Sequence, residues 1–310
     1  MSKPNLFIVG QPKAGTTALH YFLSEHPEIY MAKVKEPNFF CKDFHEESDG
    51  YHNTQKFFFI RNETSYLELF SRVTHEKIIG ESSIHYLYSR VAAYEINQFN
   101  PEANIIIILR NPADWLYSLH NQYVKMTIEH EEDFSKALDL EPLRKQGKHI
   151  GRRALCPSWL YYSEWVKYYD QVKRFYDLFD ASKIKVIIFE DWKQNNEKVF
   201  RETLGFLNVD TCFSPRYKPV NVRAKPRFKQ LNYIIYNPVI RKMSQILFSP
   251  ELHEFISKKI ADKFLFQEDT ESSIDPELKA KLMRKFKPEV LKVSRLIDID
   301  LETRWGYHVD

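Results

Sequence analysis

Glycine is scarce in this chain, 8 of 310 residues, so each glycine at a turn marks a place where backbone freedom matters. Cysteine is scarcer still. Cys41, Cys156 and Cys212 are odd in number and far apart, which argues against a disulfide framework or a cysteine metal motif and for a reducing, cytoplasmic setting. No apolar run approaches the roughly 20 residues that a membrane-spanning helix needs; Ile105–Leu109 is representative. The opening MSKPNLFIVGQ has neither the length nor the flanks of a signal peptide. A soluble protein is expected, with peripheral contact to a membrane left open. Charge of one sign is also missing: 45 Lys and Arg face 42 acids, for a formal charge of +3. That balance argues against a dedicated nucleic-acid binder. With no internal repeat and no low-complexity linker, one domain spanning residues 1–310 with helical insertions is the expectation. Oligomeric state is not legible.

What the chain has in quantity is apolar and aromatic mass. Hydrophobic residues make up 43%, with 23 Phe and 18 Tyr, enough for a large core. One basic stretch stands out, because Arg216, Lys218, Arg223, Lys225, Arg227 and Lys229 occur with no intervening acid. By itself such a run is an ordinary solvated surface unless the fold needs an anion site.

Short β-branched runs at Leu6–Val9, Lys77–Gly80, Ala103–Leu109 and Ile184–Phe189 read as buried strands. Four consecutive isoleucines, Ile105–Ile108, suit a parallel strand covered on both faces. Helices are expected at Thr16 to about Ser24, after Asn111-Pro112, from Ser158 to about Leu178, and over Asn195–Leu204 with Gly205 as the stop. Pro276 begins a charged amphipathic helix expected to break at Pro288 and resume to about Leu296. Residues 212–229 read as a long loop. Strand, glycine turn and helix in succession open an α/β protein.

Gly10-Gln11-Pro12-Lys13-Ala14-Gly15-Thr16-Thr17 joins the first strand to the first helix. Two glycines let backbone N–H groups turn inward around an anion, and the helix N-terminus adds donors and a favourable dipole. Lys13 reaches the same oxygens, and Thr16 and Thr17 add hydroxyls. A tight turn with no ligand would use the same glycines. A nucleotide-triphosphatase loop needs lysine directly after its second glycine, and here Thr16 stands there. The strand Ile105–Leu109 runs into Arg110 instead of an acid that could help hold magnesium. The loop therefore suits phosphate-like anions without the usual metal arrangement.

Pro12–Thr17 resembles the phosphosulfate loop of the sulfotransferase family, Pro-Lys-Ser/Ala/Gly-Gly-Thr-Thr/Ser. Leu109-Arg110-Asn111-Pro112, with Ser118 eight residues after the arginine, resembles that family's second signature. The resemblance implies a P-loop-type three-layer α/β fold, with a central mainly parallel sheet flanked by helices. It implies 3'-phosphoadenosine-5'-phosphosulfate as the sulfuryl donor and 3',5'-diphosphoadenosine as the product. By the same resemblance Lys13, Ala14, Gly15, Thr16 and Thr17 hold the donor, and Arg110 and Ser118 bind its 3'-phosphate. Arg223, Lys225 and Arg227 resemble the late basic loop that closes over that phosphate. Tyr161 and Tyr162 lie near the family's donor-proximal tyrosine, though core packing explains them as well. Leu301 to Trp305 resembles the family's terminal structural element. The likeness is greater to carbohydrate-type and bacterial members than to the cytosolic phenol and steroid enzymes.

Glu36-Pro37-Asn38-Phe39-Phe40 resembles the segment that carries a general base in many carbohydrate-type members, so Glu36 is the leading base candidate. The adjacent Lys33 and Lys35 equally suit an ordinary surface glutamate. Glu81-Ser82-Ser83-Ile84-His85-Tyr86 resembles the family's Glu-Lys-Thr/Ser-Pro region, but Ser82 replaces the lysine. That departure weakens any second catalytic lysine and leaves His85 as the alternative base, because an imidazole titrates near neutrality. Asp114 and His120 read as helix-surface or supporting residues. No metal site is expected. The acceptor is expected to be a saccharide hydroxyl or amine, with a lipid, acyl chain or small molecule also compatible with Phe39, Phe40, Tyr86 and Tyr88. Two rivals stand beside this reading: a P-loop kinase, and a silent nucleotide-binding protein of the same fold.

Overall fold

A computed structural model describes residues 2–55, 57–216, 224–226, 266–268 and 273–308. Five parallel strands form the central sheet: β1 (Leu6–Gly10), β2 (Ile29–Met31), β3 (Ile78–Ser82), β4 (Asn104–Leu109) and β5 (Ile184–Ile188), in the order β2-β3-β1-β4-β5. Alternate residues of each strand point to opposite faces. On one face Phe7, Val9, Ile105, Ile107 and Leu109 join a core with helices Ala92–Phe99, Pro112–Lys125, Tyr168–Tyr176 and Pro276–Ile297. On the other, Leu6, Ile8, Ile106 and Ile108 pack beneath helices Thr16–Ser24 and Asn196–Phe206. The isoleucine run is thus covered on both faces, as its composition implied. This is the three-layer P-loop-type arrangement, with the glycine loop leaving the central strand β1.

One strand was not foreseen and three expectations are corrected. Strand β2 was too short to register as a periodic run; pairing with β3 through Ile29–Ile78, Tyr30–Ile79 and Met31–Gly80 fixes it. The long middle helix is instead a short 3-10 turn at Pro157–Leu160 and helices Tyr162–Trp165 and Tyr168–Tyr176. The break at Val166–Lys167 frees carbonyls, and Gln171 Nε2 donates to the oxygens of Glu164 (3.1 Å) and Trp165 (2.9 Å). Gly205 does not stop its helix, which runs Asn196–Phe206. Asn208, at φ 53°, supplies the left-handed residue just beyond it. Finally, helix Pro276–Ile297 continues through Pro288. Burial of Leu282, Met283, Phe286, Val290, Val293 and Ile297 along one stripe holds the helix together across the hydrogen bond that proline cannot make.

Candidate active site

The glycine loop is shaped by two close approaches. Gly10 lies at φ +153°, and a Cβ there would meet Leu87 Cβ at 2.9 Å and the Ile84 carbonyl at 3.0 Å. Gly15 lies at φ +85°, with the Trp192 ring 3.0 Å from where a Cβ would stand. Any larger residue would push the loop off its seat. Gly15 is the N-cap of helix Thr16–Ser24, with no side-chain cap and no acid in the first turn. Such an end presents backbone donors and a positive dipole to an anion.

Three elements fix the loop from beneath. The Trp115 indole, on helix Pro112–Lys125, donates to the Pro12 carbonyl at 2.6 Å. Arg110 Nη1, at the end of β4, donates to the Lys13 carbonyl at 3.0 Å, while its guanidinium lies 4.7 Å from the Phe189 ring centroid. Tyr168 donates to the Arg110 carbonyl at 3.1 Å. Above the loop, Lys13 Nζ donates to Gln122 Oε1 at 3.2 Å. Ser118 is buried on the helix that also supplies Trp115 and Gln122. Lys13, Arg110 and Ser118 thus sit on one loop, one strand end and one helix, with Arg110 and that helix both bonded to the loop. Thr16 is buried and Thr17 half-buried at the first turn, and Ala14 packs into the core below.

Asn111 explains the terminal element. Its Nδ2 donates to the Trp305 carbonyl at 3.0 Å, and Trp305 Nε1 donates to Glu190 Oε2 at 2.7 Å. Helix Leu301–Trp305 thus props the turn that carries Arg110.

Glu36 reaches the same region through backbone pairing. Its N–H donates to the Ser82 carbonyl at 2.9 Å, extending the β2–β3 alignment. Lys35 Nζ donates to Thr17 Oγ1 at 2.7 Å and lies 3.4 Å from Glu36 Oε1. The lysine joins the first turn after the glycine loop to the carboxylate, a contact that sequence reasoning missed. Its signal was present in the Lys-Glu pair, but the pair looked like ordinary surface.

His85 is buried, stacked on the Trp159 ring at 4.0 Å with the planes 4° apart. Burial, followed by the charge of Lys35, lowers its pKa to about 3. His20 behaves alike: burial and then Lys35 lower it to about 4, and its Nδ1 lies 2.9 Å from Ser82 Oγ. Glu81, which the sequence placed at the head of the second lining segment, is buried among hydroxyls. Its buried carboxylate accepts from Tyr86 (2.6 Å), Ser83 (2.8 Å) and Tyr66 (3.2 Å). Burial raises its pKa to about 7, against the opposing pull of those hydroxyls. Ser83 Oγ also accepts from the Asn38 N–H at 3.0 Å, so the Glu81 cluster braces the turn after Glu36.

Other candidates take supporting places. Tyr162 is core and donates to Glu129 Oε2 at 2.9 Å; Tyr161 donates to the Arg144 carbonyl at 3.3 Å. Asp114 pairs with Lys279 at 2.8 Å, and His120 is buried with Nε2 2.8 Å from the Glu131 carbonyl. Arg223 and Arg227 lie outside the described residues, as does the Lys225 side chain; the backbone of Ala224–Pro226 pairs antiparallel with Phe266–Glu268. A cavity of about 640 Å³ lined by Asp43, Glu47, Tyr88, Arg90 and Arg174 includes none of Lys13, Glu36, Arg110 or Ser118. Among the described residues, no helix is long and apolar enough to cross a membrane.

The family model described as the sulfotransferase domain matches residues 3–290. The bifunctional heparan sulfate N-deacetylase/N-sulfotransferase 4 of Mus musculus is 26% identical over 216 residues, covering 66% of this chain and 22% of that protein. Carbohydrate sulfotransferase 15 of Mus musculus is 28% identical over 153 residues, covering 37% of this chain and 26% of that protein. The chain therefore spans about a quarter of the length of the curated relatives it matches. A crystal structure of a sulfotransferase from Alicyclobacillus acidocaldarius superimposes with a TM-score of 0.70 at 28% identity, covering 99% of this chain and 100% of that one.

Proposed function

The chain belongs to the sulfotransferase domain family, and from that premise we propose that it moves a sulfuryl group from 3'-phosphoadenosine-5'-phosphosulfate to a saccharide hydroxyl or amine. The observation that carries this reading is the convergence of Lys13, Arg110, Lys35 and Glu36 on one glycine loop whose helix end has no side-chain cap. The donor's charges fit that setting. The loop amides, Lys13 and the Thr16 and Thr17 hydroxyls suit its 5'-phosphosulfate, and Arg110 and Ser118 suit its 3'-phosphate.

In the reaction, a bond forms between the acceptor oxygen or nitrogen and sulfur as the bond from sulfur to the bridging phosphate oxygen breaks. The electron pair stays on that phosphate oxygen, where Lys13 and the loop donors stabilise it. Glu36 takes the acceptor's proton. Its partly exposed carboxylate suits this task better than His85, whose enclosed ring holds a proton only near pH 3. Saccharide is the proposed acceptor class because the matching relatives named above bear heparan sulfate and carbohydrate in their names. A kinase reading is disfavoured by Thr16 standing where a triphosphatase loop needs lysine.

The test is a screen of labelled donor against N-desulfated heparan oligosaccharides, other glycans and simple alcohols, with and without EDTA. Transfer to glycan that persists in EDTA is expected. Transfer to alcohols alone removes the saccharide assignment, and transfer of phosphate from ATP removes the whole reading.

A further inference from the structure

The family resemblance leaves a charge missing. Where the resemblance implies a lysine after the glutamate of the second lining segment, this chain has Ser82, fully buried and engaged 2.9 Å from His20 Nδ1. The neighbouring imidazoles do not replace that charge, since burial and Lys35 together hold His20 and His85 neutral at physiological pH. Lys35 places a cation on the Glu36 side of the loop. Its backbone is set by two bonds to β3, Ala32 N–H to the Gly80 carbonyl at 2.8 Å and Glu36 N–H to the Ser82 carbonyl at 2.9 Å. Its ammonium then lies between Thr17 Oγ1 at 2.7 Å and Glu36 Oε1 at 3.4 Å. That is the space between the loop that holds the leaving phosphate and the carboxylate that faces the acceptor.

We propose that Lys35 is a catalytic residue of sulfuryl transfer, donating from its ammonium to the oxygens of the sulfuryl group as it passes from the loop to the acceptor beside Glu36. This rests on the transfer reading above. An ammonium has three donors, so contacts to Thr17 and Glu36 leave one for a sulfuryl oxygen. Charge on those oxygens and on the leaving phosphate is greatest midway through the transfer, where a fixed cation lowers the barrier most. The proton still goes to Glu36; Lys35 stays protonated throughout.

The test compares wild type, Lys13→Ala, Lys35→Met and Lys35→Arg for release of 3',5'-diphosphoadenosine in the presence of N-desulfated heparan oligosaccharide. Affinity for 3',5'-diphosphoadenosine and thermal unfolding are measured on each. Lys35→Met keeps the stem and removes the charge, so kcat should fall about 100-fold or more while product affinity stays within about threefold and the melt holds. Lys35→Arg should recover at least about tenfold of that loss, because it restores the charge and not the shape. Equal turnover in wild type and Lys35→Met overturns the proposal, as does an equal loss in Lys35→Met and Lys35→Arg. If wild type transfers and Lys13→Ala does not, either result falls on Lys35 alone; a wild type without transfer overturns both readings.

Discussion

The Trp115 indole N–H donates to the Pro12 carbonyl at 2.6 Å, joining the helix that bears Ser118 to the loop that bears Lys13. Both groups are buried, so the bond has no water to replace it. Trp115→Phe keeps most of the ring volume and leaves the carbonyl unmet, at about 1–3 kcal/mol. Calorimetric titration with 3',5'-diphosphoadenosine should show weaker binding along with a lower melting temperature. A variant that melts early yet binds as tightly as wild type would separate loop position from donor affinity.

Beside its proposed contact with the 3'-phosphate, Arg110 holds the loop: its Nη1 donates to the Lys13 carbonyl at 3.0 Å and its guanidinium carbon lies over the Phe189 ring, 4.7 Å from the centroid. Lysine offers neither the fork nor the flat stacking face. Arg110→Lys is therefore expected to lose affinity for 3',5'-diphosphoadenosine nearly as fully as Arg110→Ala, although it retains the charge. Lys13→Ala should instead spare much of that affinity and cut transfer by about 100-fold or more. Binding and turnover measured on the same preparations check both expectations.

The sheet was legible wherever a strand was long enough to show its chemistry. Ile105–Ile108 declared two covered faces, and Leu6–Val9 followed by Gly10 declared the loop. Strand β2 was not legible, because three residues carry no period and only pairing with β3 defines them. The break at Val166 was hidden by aromatics at helical spacing, which pack as well on two short helices as on one. The residues proposed for the donor could be named together because one loop and one strand end hold Lys13 to Thr17 and Arg110 in short runs of sequence. The Lys35 contact and the Tyr66 bond to Glu81 could not be read, because Thr17 and Tyr66 arrive from other elements.

His85 gives the stability a dependence on pH. Its pKa is about 3 when folded and near 6.5 when the chain is unfolded, so between these values the unfolded chain binds the extra proton. Its stabilising contribution is complete above about pH 6.5 and is lost as pH falls toward 3. His20 adds a term of the same sign, and Glu81, raised to about 7, adds one of opposite sign that is lost as pH rises. The difference between wild type and His85→Phe isolates the first term, since phenylalanine can keep the stack on Trp159. Denaturant titrations from pH 7 to pH 4.5 should show His85→Phe losing less stability, by up to about 1.4 kcal/mol per pH unit. Parallel curves would place the His85 proton elsewhere.

The same shift bears on which group takes the acceptor's proton. Burial, followed by the charge of Lys35, disfavours the protonated His85 ring. The ring is also closed in against Trp159. Glu36 lies beside the Lys35 ammonium with a third of its side chain exposed (34%). Glu36→Gln should bind 3',5'-diphosphoadenosine as wild type does and transfer about 100- to 10,000-fold more slowly. His85→Asn should keep the wild-type dependence of rate on pH, with any loss of rate following the loss of packing. Should Glu36→Gln remain active while His85→Asn falls silent with its fold intact, the proton passes to His85 and the Lys35 field must be lifted by the bound donor.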